Sequence, residues 1–482
     1  MLSPHRVCSS VLGLLVVCVS LGLGFTPCST VMAQAISPDA AETAQHQIPF
    51  FIYRPANGLT IIAADEAWEV QFGNRMAVYW TFWTQGSDGT SRTKKGTANG
   101  VLQIRRFYPY MNARLNSGFY DLQFALEVGP RGEFVIRDAL LLLHFEYLNP
   151  SLPYLVVGAG PGTILNPQDA NCSTRRCGRS ERSLLANGAG VGDGTVDRGL
   201  GFVWDRLPRL GFSRITFLNF LMGQARIGTP AQFDDLQSAD ISRDGRSLGA
   251  GIGIKPFDTL AGSAREWLAG LEVSFGTFIQ ETPDADRGFA PWDIQTNQTA
   301  AQPISMIRSI RAGTSGRFYY YTPGIGWDWD WVRLRLAGQF AQASVCIENT
   351  NGRCVDGPII RGRGWRFMGE FWLWSPGKGL LSGNPRDGGF MLAPMFQRTD
   401  VTQGGPKNAT LDGCAGCKRA HATNSGVALW YFIPGRFMNI GVVWDHWSCV
   451  NCNEDVARVV SGFIPGGAAA WDTITLITRF QF

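Results

Sequence analysis

Between Trp267 and Gln280 the chain alternates: Trp267, Ala269, Leu271, Val273, Phe275 and Ile279 share one parity, and Glu266, Glu272, Ser274 and Gln280 the other. A period of two sends successive side chains to opposite faces of a strand. Fourteen residues of this pattern exceed the ~5–6 of an ordinary soluble strand and reach the ~9–11 that a tilted strand needs to cross a bilayer. The pattern recurs. Tyr120, Leu122, Phe124, Leu126 and Val128 oppose Asp121, Gln123 and Glu127; Val332, Leu334, Leu336 and Phe340 oppose Arg333, Arg335 and Gln339; Val70, Phe72, Met76, Val78, Trp80 and Phe82 oppose Glu69, Gln71, Arg75 and Thr81. An arginine facing midplane lipid costs ~2–4 kcal/mol, so the charged faces must line a wet interior.

The fold expected is therefore all-β, a transmembrane antiparallel β-barrel. After residue 35 no apolar run reaches the ~18–20 residues of a membrane helix, and no stretch sustains a period of 3.6. With only 17% charged residues, 58 Gly, 30 Phe, 16 Trp and 11 Tyr, the composition suits many loops and two aromatic girdles. A soluble β-sandwich or β-helix competes on composition alone, but neither needs strands this long. A formal net charge of +4 gives no electrostatic case for nucleic acid as a partner.

The first 35 residues have the layout of a signal peptide: Arg6, an apolar run from Val11 to Phe25, and Ala33-Gln34-Ala35 as the cleavage site. Residues 36–66 read as a periplasmic lead-in and 67–482 as the barrel. Strands are expected near 68–83, 100–115, 119–128, 133–148, 152–158, 198–205, 210–222, 247–255, 265–280, 304–322, 327–343, 363–374, 388–399, 424–433, 436–447 and 471–482. That is about sixteen, with fourteen to eighteen allowed by the weaker fifth, sixth and eighth. Short turns such as Asn116-Ser117-Gly118, Pro323-Gly324 and Pro434-Gly435 fall on one side, which orients them to the periplasm. Long connections at 159–197, 223–246, 281–303, 344–362, 400–423 and 448–470 fall outside. The last strand alternates Ile474, Leu476, Phe480 and Phe482 with Thr473, Thr475, Arg479 and Gln481, and so resembles the C-terminal strand recognised by the barrel assembly machinery. The location expected is the bacterial outer membrane, with its lipid as a partner.

Eight cysteines follow the signal, in four close pairs assigned to outer loops: Cys172/Cys177, Cys346/Cys354, Cys414/Cys417 and Cys449/Cys452. An even count in an exported chain favours disulfides. Local staples suit the first two pairs; the two C-x-x-C motifs leave open cross-loop disulfides or a four-thiolate zinc site. No cofactor is implied, since neither motif is followed by the histidine that covalent haem attachment needs.

Strand parity assigns Arg75, Arg106, Arg114, Arg311, Arg317, Arg333, Arg335 and Arg366 to polar faces as candidate pore linings. Arg175, Arg176, Arg179 and Arg182 belong to loop 159–197, a candidate constriction if that loop folds inward. A unit anion ~5 Å from one guanidinium gains ~1 kcal/mol in water-like dielectric, so converging arginines would favour anions. Glu69, Asp121, Glu127, Glu272 and Glu370 on the same faces oppose that bias.

Gly58-Leu59-Thr60-Ile61, the Arg105-Arg106 to Asn112-Ala113-Arg114-Leu115 segment and Tyr120-Asp121-Leu122-Gln123-Phe124 resemble the phosphate-selective porin family, as does the terminal strand. The resemblance implies a sixteen-strand barrel, often a homotrimer, conducting anions. The expected function is passive diffusion of small hydrophilic or anionic solutes. Two readings compete: a non-conducting surface protein with disulfide-stapled binding loops, and a barrel enzyme. Against the latter, His46, His144, His421 and His446 sit in no recognisable Ser/His/acid setting, and girdle positions are expected for His144 and His446.

Overall fold

The computed structural model describes residues 49–54, 58–84, 100–128, 134–159, 184, 198–204, 207, 211, 213–224, 246–260, 262, 264–282, 293–296, 304–308, 315–348, 354–384, 387–405, 410–435, 438–460 and 462–481. Sixteen antiparallel strands close into a barrel. They are β1 (Trp68–Thr84), β2 (Gly100–Leu115), β3 (Tyr120–Val128), β4 (Phe134–His144), β5 (Tyr154–Ala159), β6 (Arg198–Trp204), β7 (Arg214–Gln224) and β8 (Arg246–Lys255). The second half is β9 (Leu271–Thr282), β10 (Ser315–Trp329), β11 (Val332–Glu348), β12 (Cys354–Ser375), β13 (Gly389–Gly404), β14 (Arg419–Phe432), β15 (Met438–Val450) and β16 (Ala468–Gln481).

Each strand pairs with its sequence neighbour, and β16 closes on β1 from Asp472↔Thr84 to Gln481↔Arg75. Closure leaves the described barrel strands without a free edge along the seam, the condition under which a sheet can cross a membrane. A hairpin of Phe50–Arg54 and Gly58–Ile62 continues the sheet beyond the end of β16, pairing with Glu69–Phe72 of β1. No described helix is long and apolar enough to cross a membrane.

The alternation survives in three dimensions. Trp80, Leu122, Phe275, Ile325, Leu336, Leu429, Trp444 and Leu476 are exposed on the outer face, as a lipid-facing belt requires. Their neighbours Thr81, Ser274, Gln339, Thr473 and Thr475 are buried on the inner face. Near the periplasmic end Trp267 stacks on Trp327 and Trp329, with centroids 6.4 and 4.4 Å away, and accepts the Trp327 indole N–H at its carbonyl. Such amphipathic rings suit the headgroup level.

Three expected elements differ. The segment 304–322 is not one strand: Ser305–Arg308 pairs with Asp293–Gln295 in a separate two-stranded sheet, and β10 begins at Ser315. Pro323-Gly324 is no turn, because the lipid-facing alternation runs on through Tyr321 and Ile325. The β10–β11 register steps from Tyr321↔Phe340 to Gly324↔Ala337 past Pro323, which has no N–H to donate; the reversal comes at Asp330-Trp331, where Asp330 adopts φ 38°. Second, Trp267 belongs to a short helix, Ala264–Leu268, so β9 starts only at Leu271. Third, the outer connection 344–362 shrinks to 349–353, because β11 and β12 extend as a paired ladder to Glu348↔Cys354.

Candidate functional site: the barrel lumen

Residues directly opposed on neighbouring strands share a face, so the register extends each inward position into a row. One row runs Ala337–Arg366–Gln397–Asn424–Trp447 across β11 to β15. Gln397 donates to Asn424 Oδ1 at 3.1 Å, and Asn424 donates to Asp445 Oδ1 at 3.4 Å. The backbone N–H of Leu184 donates to Gln397 Oε1 at 3.0 Å, and Leu184 is buried. Leu184 lies in the connection between β5 and β6, so one residue of that connection docks on the inner wall.

Packed apolar clusters flank this polar belt. Towards the periplasm, Tyr79, Trp372, Met391, Trp430, Phe432, Val443 and Ile477 form one, and the Arg479 guanidinium carbon lies 3.9 Å from the Trp430 ring centroid. Towards the outside, Trp447 and Trp471 join Ile294, Ile304, Met306, Ile307, Leu411, Cys414, Cys449, Cys452 and Val456 in the other. Its loop segments are knitted together. Asn453 N–H donates to Met306 O at 2.8 Å, Asp412 N–H to Arg308 O at 3.0 Å, and Arg308 faces Asp455 at 3.5 Å. The described segments of three outer connections thus form one lid over this side of the barrel.

The C-x-x-C motifs sit in that lid. Cys414 is in bonding contact with Cys417, and Cys449 with Cys452; each motif closes on itself, with Cα separations of 5.5 and 5.7 Å. The close approach within each motif favours pairing inside the motif over the cross-loop pairing and the four-thiolate zinc site expected as alternatives. Gly466 packs on the Cys414–Cys417 pair: a Cβ there would lie 3.1 Å from Cys414 Sγ. Cys449 lies on β15, and Cys346 and Cys354 on β11 and β12, so these three are strand rather than loop positions. Cys172 and Cys177 fall outside the described residues.

The other wall is thinner. Val156, Gly158, Gly199 and Gly201 on β5 and β6, and Gly249, Gly251 and Gly253 on β8, face inward with little or no side chain. On β1 to β3 a cavity of about 250 Å³ is lined by Arg75, Tyr108, Tyr110, Asn112, Gln123, Phe124 and Ala125. Gly73 makes room for it: a Cβ there would lie 2.3 Å from the Tyr110 hydroxyl, so the phenol crosses β1 only because residue 73 has no side chain. The Arg75 guanidinium carbon lies 5.1 Å from the Tyr110 ring centroid, within cation–π range.

The candidate arginines scatter among different environments. Arg75 faces the cavity just described. Arg106 pairs with the inward position Ala77. Arg114 stands exposed at the periplasmic mouth, 3.3 Å from Asp121. Arg333 is 3.9 Å from Glu370, Arg335 contacts Asp328, and buried Arg366 has Nη2 3.5 Å from Met368 Sδ. Arg317 is a correction: it is exposed with Tyr321 and Ile325 on the outward parity of β10, because Phe318 and Tyr320 take the inner positions. Arg311 and the loop residues Arg175, Arg176, Arg179 and Arg182 lie outside the described residues. His144 is also corrected. It faces inward, its ring nitrogens 2.6 Å from Glu146 and 3.3 Å from Asp121, and is no girdle residue. His446 lies on the outer parity of β15, 2.9 Å from Asp472.

No protein-family model and no curated protein matches the chain. Among solved structures, the loop L8 deletion mutant of OmpT, an outer membrane protein of Vibrio cholerae, superposes with a TM-score of 0.50 at 9% identity, covering 86% of this chain and 100% of that one. This is an outer-membrane barrel fold. With its closed wall and apolar outer belt, the chain is a protein of the bacterial outer membrane. The outer membrane channel DcaP of Acinetobacter baumannii gives a TM-score of 0.49 at 9% identity, covering 86% of this chain and 98% of that one. An anion-selective porin from Comamonas acidovorans gives 0.47 at 10% identity, covering 86% of this chain and 100% of that one.

Proposed function

We propose that this chain is a porin, a channel for passive diffusion of small hydrophilic solutes across the outer membrane. The observation that carries the reading is the inner face of β1 to β9. There a cavity lined by Arg75, Tyr108, Asn112 and Gln123 stands on β1 to β3, and Asn219, Ser247, Ser274 and inward glycines stand on β6 to β9 among the larger Phe217, Leu221 and Phe278. Selectivity for anions is weak in this reading, because Arg333, Arg335 and Arg114 each face a carboxylate and Arg366 is buried away from solvent. A phosphate-selective channel would need several uncompensated cations along one path. Insertion through recognition of β16 by the assembly machinery, and association as a homotrimer, belong to the same proposal.

A second reading has its own observation. The lid knitted through Arg308, Asp412, Asn453 and the two C-x-x-C pairs would suit a surface that presents a partner-binding face. Planar-bilayer recordings on folded protein separate the two. Stepwise ohmic currents are expected, with a small reversal potential in a salt gradient. Silence from protein shown to be folded by its heat-dependent gel mobility would overturn the channel and leave the surface reading.

A further inference from the structure

On the lipid-facing side of the wall, the apolar belt stops at one level from β12 to β16. Its last members are Trp365, Phe396, Val427, Trp444 and Ile474; the next lipid-side positions towards the outer end are Arg363, Arg398, Ser425, His446 and Asp472. A guanidinium on this side of a barrel is tolerated only near an interface, so the switch marks where hydrocarbon gives way to headgroups. Above it the register sets Phe340–Arg363–Asp400–His421 in one row and Gln342–Arg361–Thr402–Arg419 in the next. Arg361, Arg363 and Arg419 are exposed there.

The carboxylates of this rim are already committed. Asp400, directly across from Arg363, accepts Arg398 Nε and Nη2 at 3.2 Å each, and Asp472 lies 2.9 Å from His446. Arg361 Nε donates to Gln342 Oε1 at 3.2 Å, a neutral partner that orients the guanidinium and leaves its charge. Among the described residues no carboxylate lies within ion-pair distance of Arg361, Arg363 or Arg419. Arg361 and Arg419 stand two strands apart, ~10 Å at the backbone, and Arg363 is ~7 Å along β12, spacings that three flexible arms can close around one phosphate.

We propose that this rim is a binding site for an anionic phosphorylated lipid headgroup of the outer leaflet. Guanidinium forks match phosphate oxygens, and clustered cations beside a membrane attract anionic headgroups. The chemistry directly below selects a lipid over a free phosphate. Trp365 and Phe396 stack with centroids 4.9 Å apart at the top of the apolar belt, where the acyl chains of a lipid held by Arg363 would lie. The site stands on the membrane placement of the barrel and holds whether or not the lumen conducts.

The test uses the folded protein in uncharged detergent, with native mass spectrometry to count bound lipid. Dioleoyl phosphatidic acid is expected to stay bound and dioleoyl phosphatidylcholine, whose headgroup has no net charge, to be lost. The double variant Arg361→Gln/Arg363→Gln should need about tenfold more phosphatidic acid for equal occupancy, and Arg419→Gln a few fold more. Lys378→Gln, which removes one cation at the periplasmic end, should need no more than the parent protein. Phosphatidic acid should also raise the unfolding midpoint, while inorganic phosphate at the same concentration should not. Equal occupancy in the parent and both rim variants would overturn the site, as would equal retention of phosphatidylcholine. A midpoint raised as much by inorganic phosphate would overturn the lipid in favour of a free anion. A changed oligomeric state in the variants with lipid binding intact would overturn it in favour of a contact between copies of the chain.

Discussion

The two walls of this barrel obey the same ladder and hold different interiors. From β12 to β16 the inner face is packed like a soluble core: Trp372, Trp430, Trp447 and Trp471 are at most 1% exposed, with the Gln397–Asn424–Asp445 belt between them and the lid above. From β3 to β8 the strands are shorter, down to six and seven residues in β5 and β6, and inward glycines alternate with larger residues such as Leu140, Leu142, Phe217 and Leu221. The outer face does not differ in kind, because both walls meet the same lipid. Pairing thus sets the barrel, while inward composition decides separately where the lumen is filled.

The largest effect should come from the filled wall. Trp447→Ala removes a buried indole that donates to Thr473 Oγ1 at 3.1 Å, and should cost about 3–5 kcal/mol, read as a lower unfolding midpoint in detergent. A shift no larger than that of Val156→Ala would erase the distinction between the walls. Cys449→Ser should cost about 2 kcal/mol if the close pair at Cys449 and Cys452 is a bond that restrains the unfolded chain. An unchanged midpoint, or equal loss on adding a reductant to both proteins, would locate the lid's strength in its hydrogen bonds instead. Gln397→Leu removes the acceptor of the Leu184 N–H and the donor to Asn424 Oδ1, at about 1–2 kcal/mol, and proteolysis between β5 and β6 should accelerate. The smallest change in stability, below about 1 kcal/mol, is expected for Val156→Trp on the thin wall. Its signature is instead a lower conductance, which Trp447→Ala should not share. Undiminished current in Val156→Trp would place the path elsewhere.

The strands were legible because lipid and lumen impose opposite demands at adjacent positions. The expected second strand, 100–115, coincides with β2, and the even count and the short periplasmic turns follow the same logic. Parity failed where both faces are apolar. Phe318-Tyr319-Tyr320-Tyr321 offers no contrast, so parity alone points Arg317 inward although Phe318 and Tyr320 hold that side. The filled wall was missed for a related reason: Val427-Ala428-Leu429-Trp430-Tyr431-Phe432 is apolar on both parities, and that doubling is itself the signal of an interior without water. Cysteine spacing could not choose between partners within a motif and across loops, since the choice depends on where the loops lie. The cavity at Arg75 needed the register, which sets Tyr108 opposite Arg75 and Gln123 opposite Asn112 across three strands.

Closure of β16 on β1 also sets an order of events. The hairpin at Phe50–Ile62 covers the edge of β1 only at Glu69–Phe72, while the edge from Arg75 to Thr84 pairs with residues near the other end of the chain. Thr81 meets the Thr475 hydroxyl across a separation of 394 residues. Until the final strand arrives, the longest-waiting edge of the sheet is open, and an open edge is a template for any other strand. The seam joins the barrel strands furthest apart in sequence, so its closure carries the largest loop entropy, and wrong pairing during biogenesis is expected there before it is expected in the packed wall.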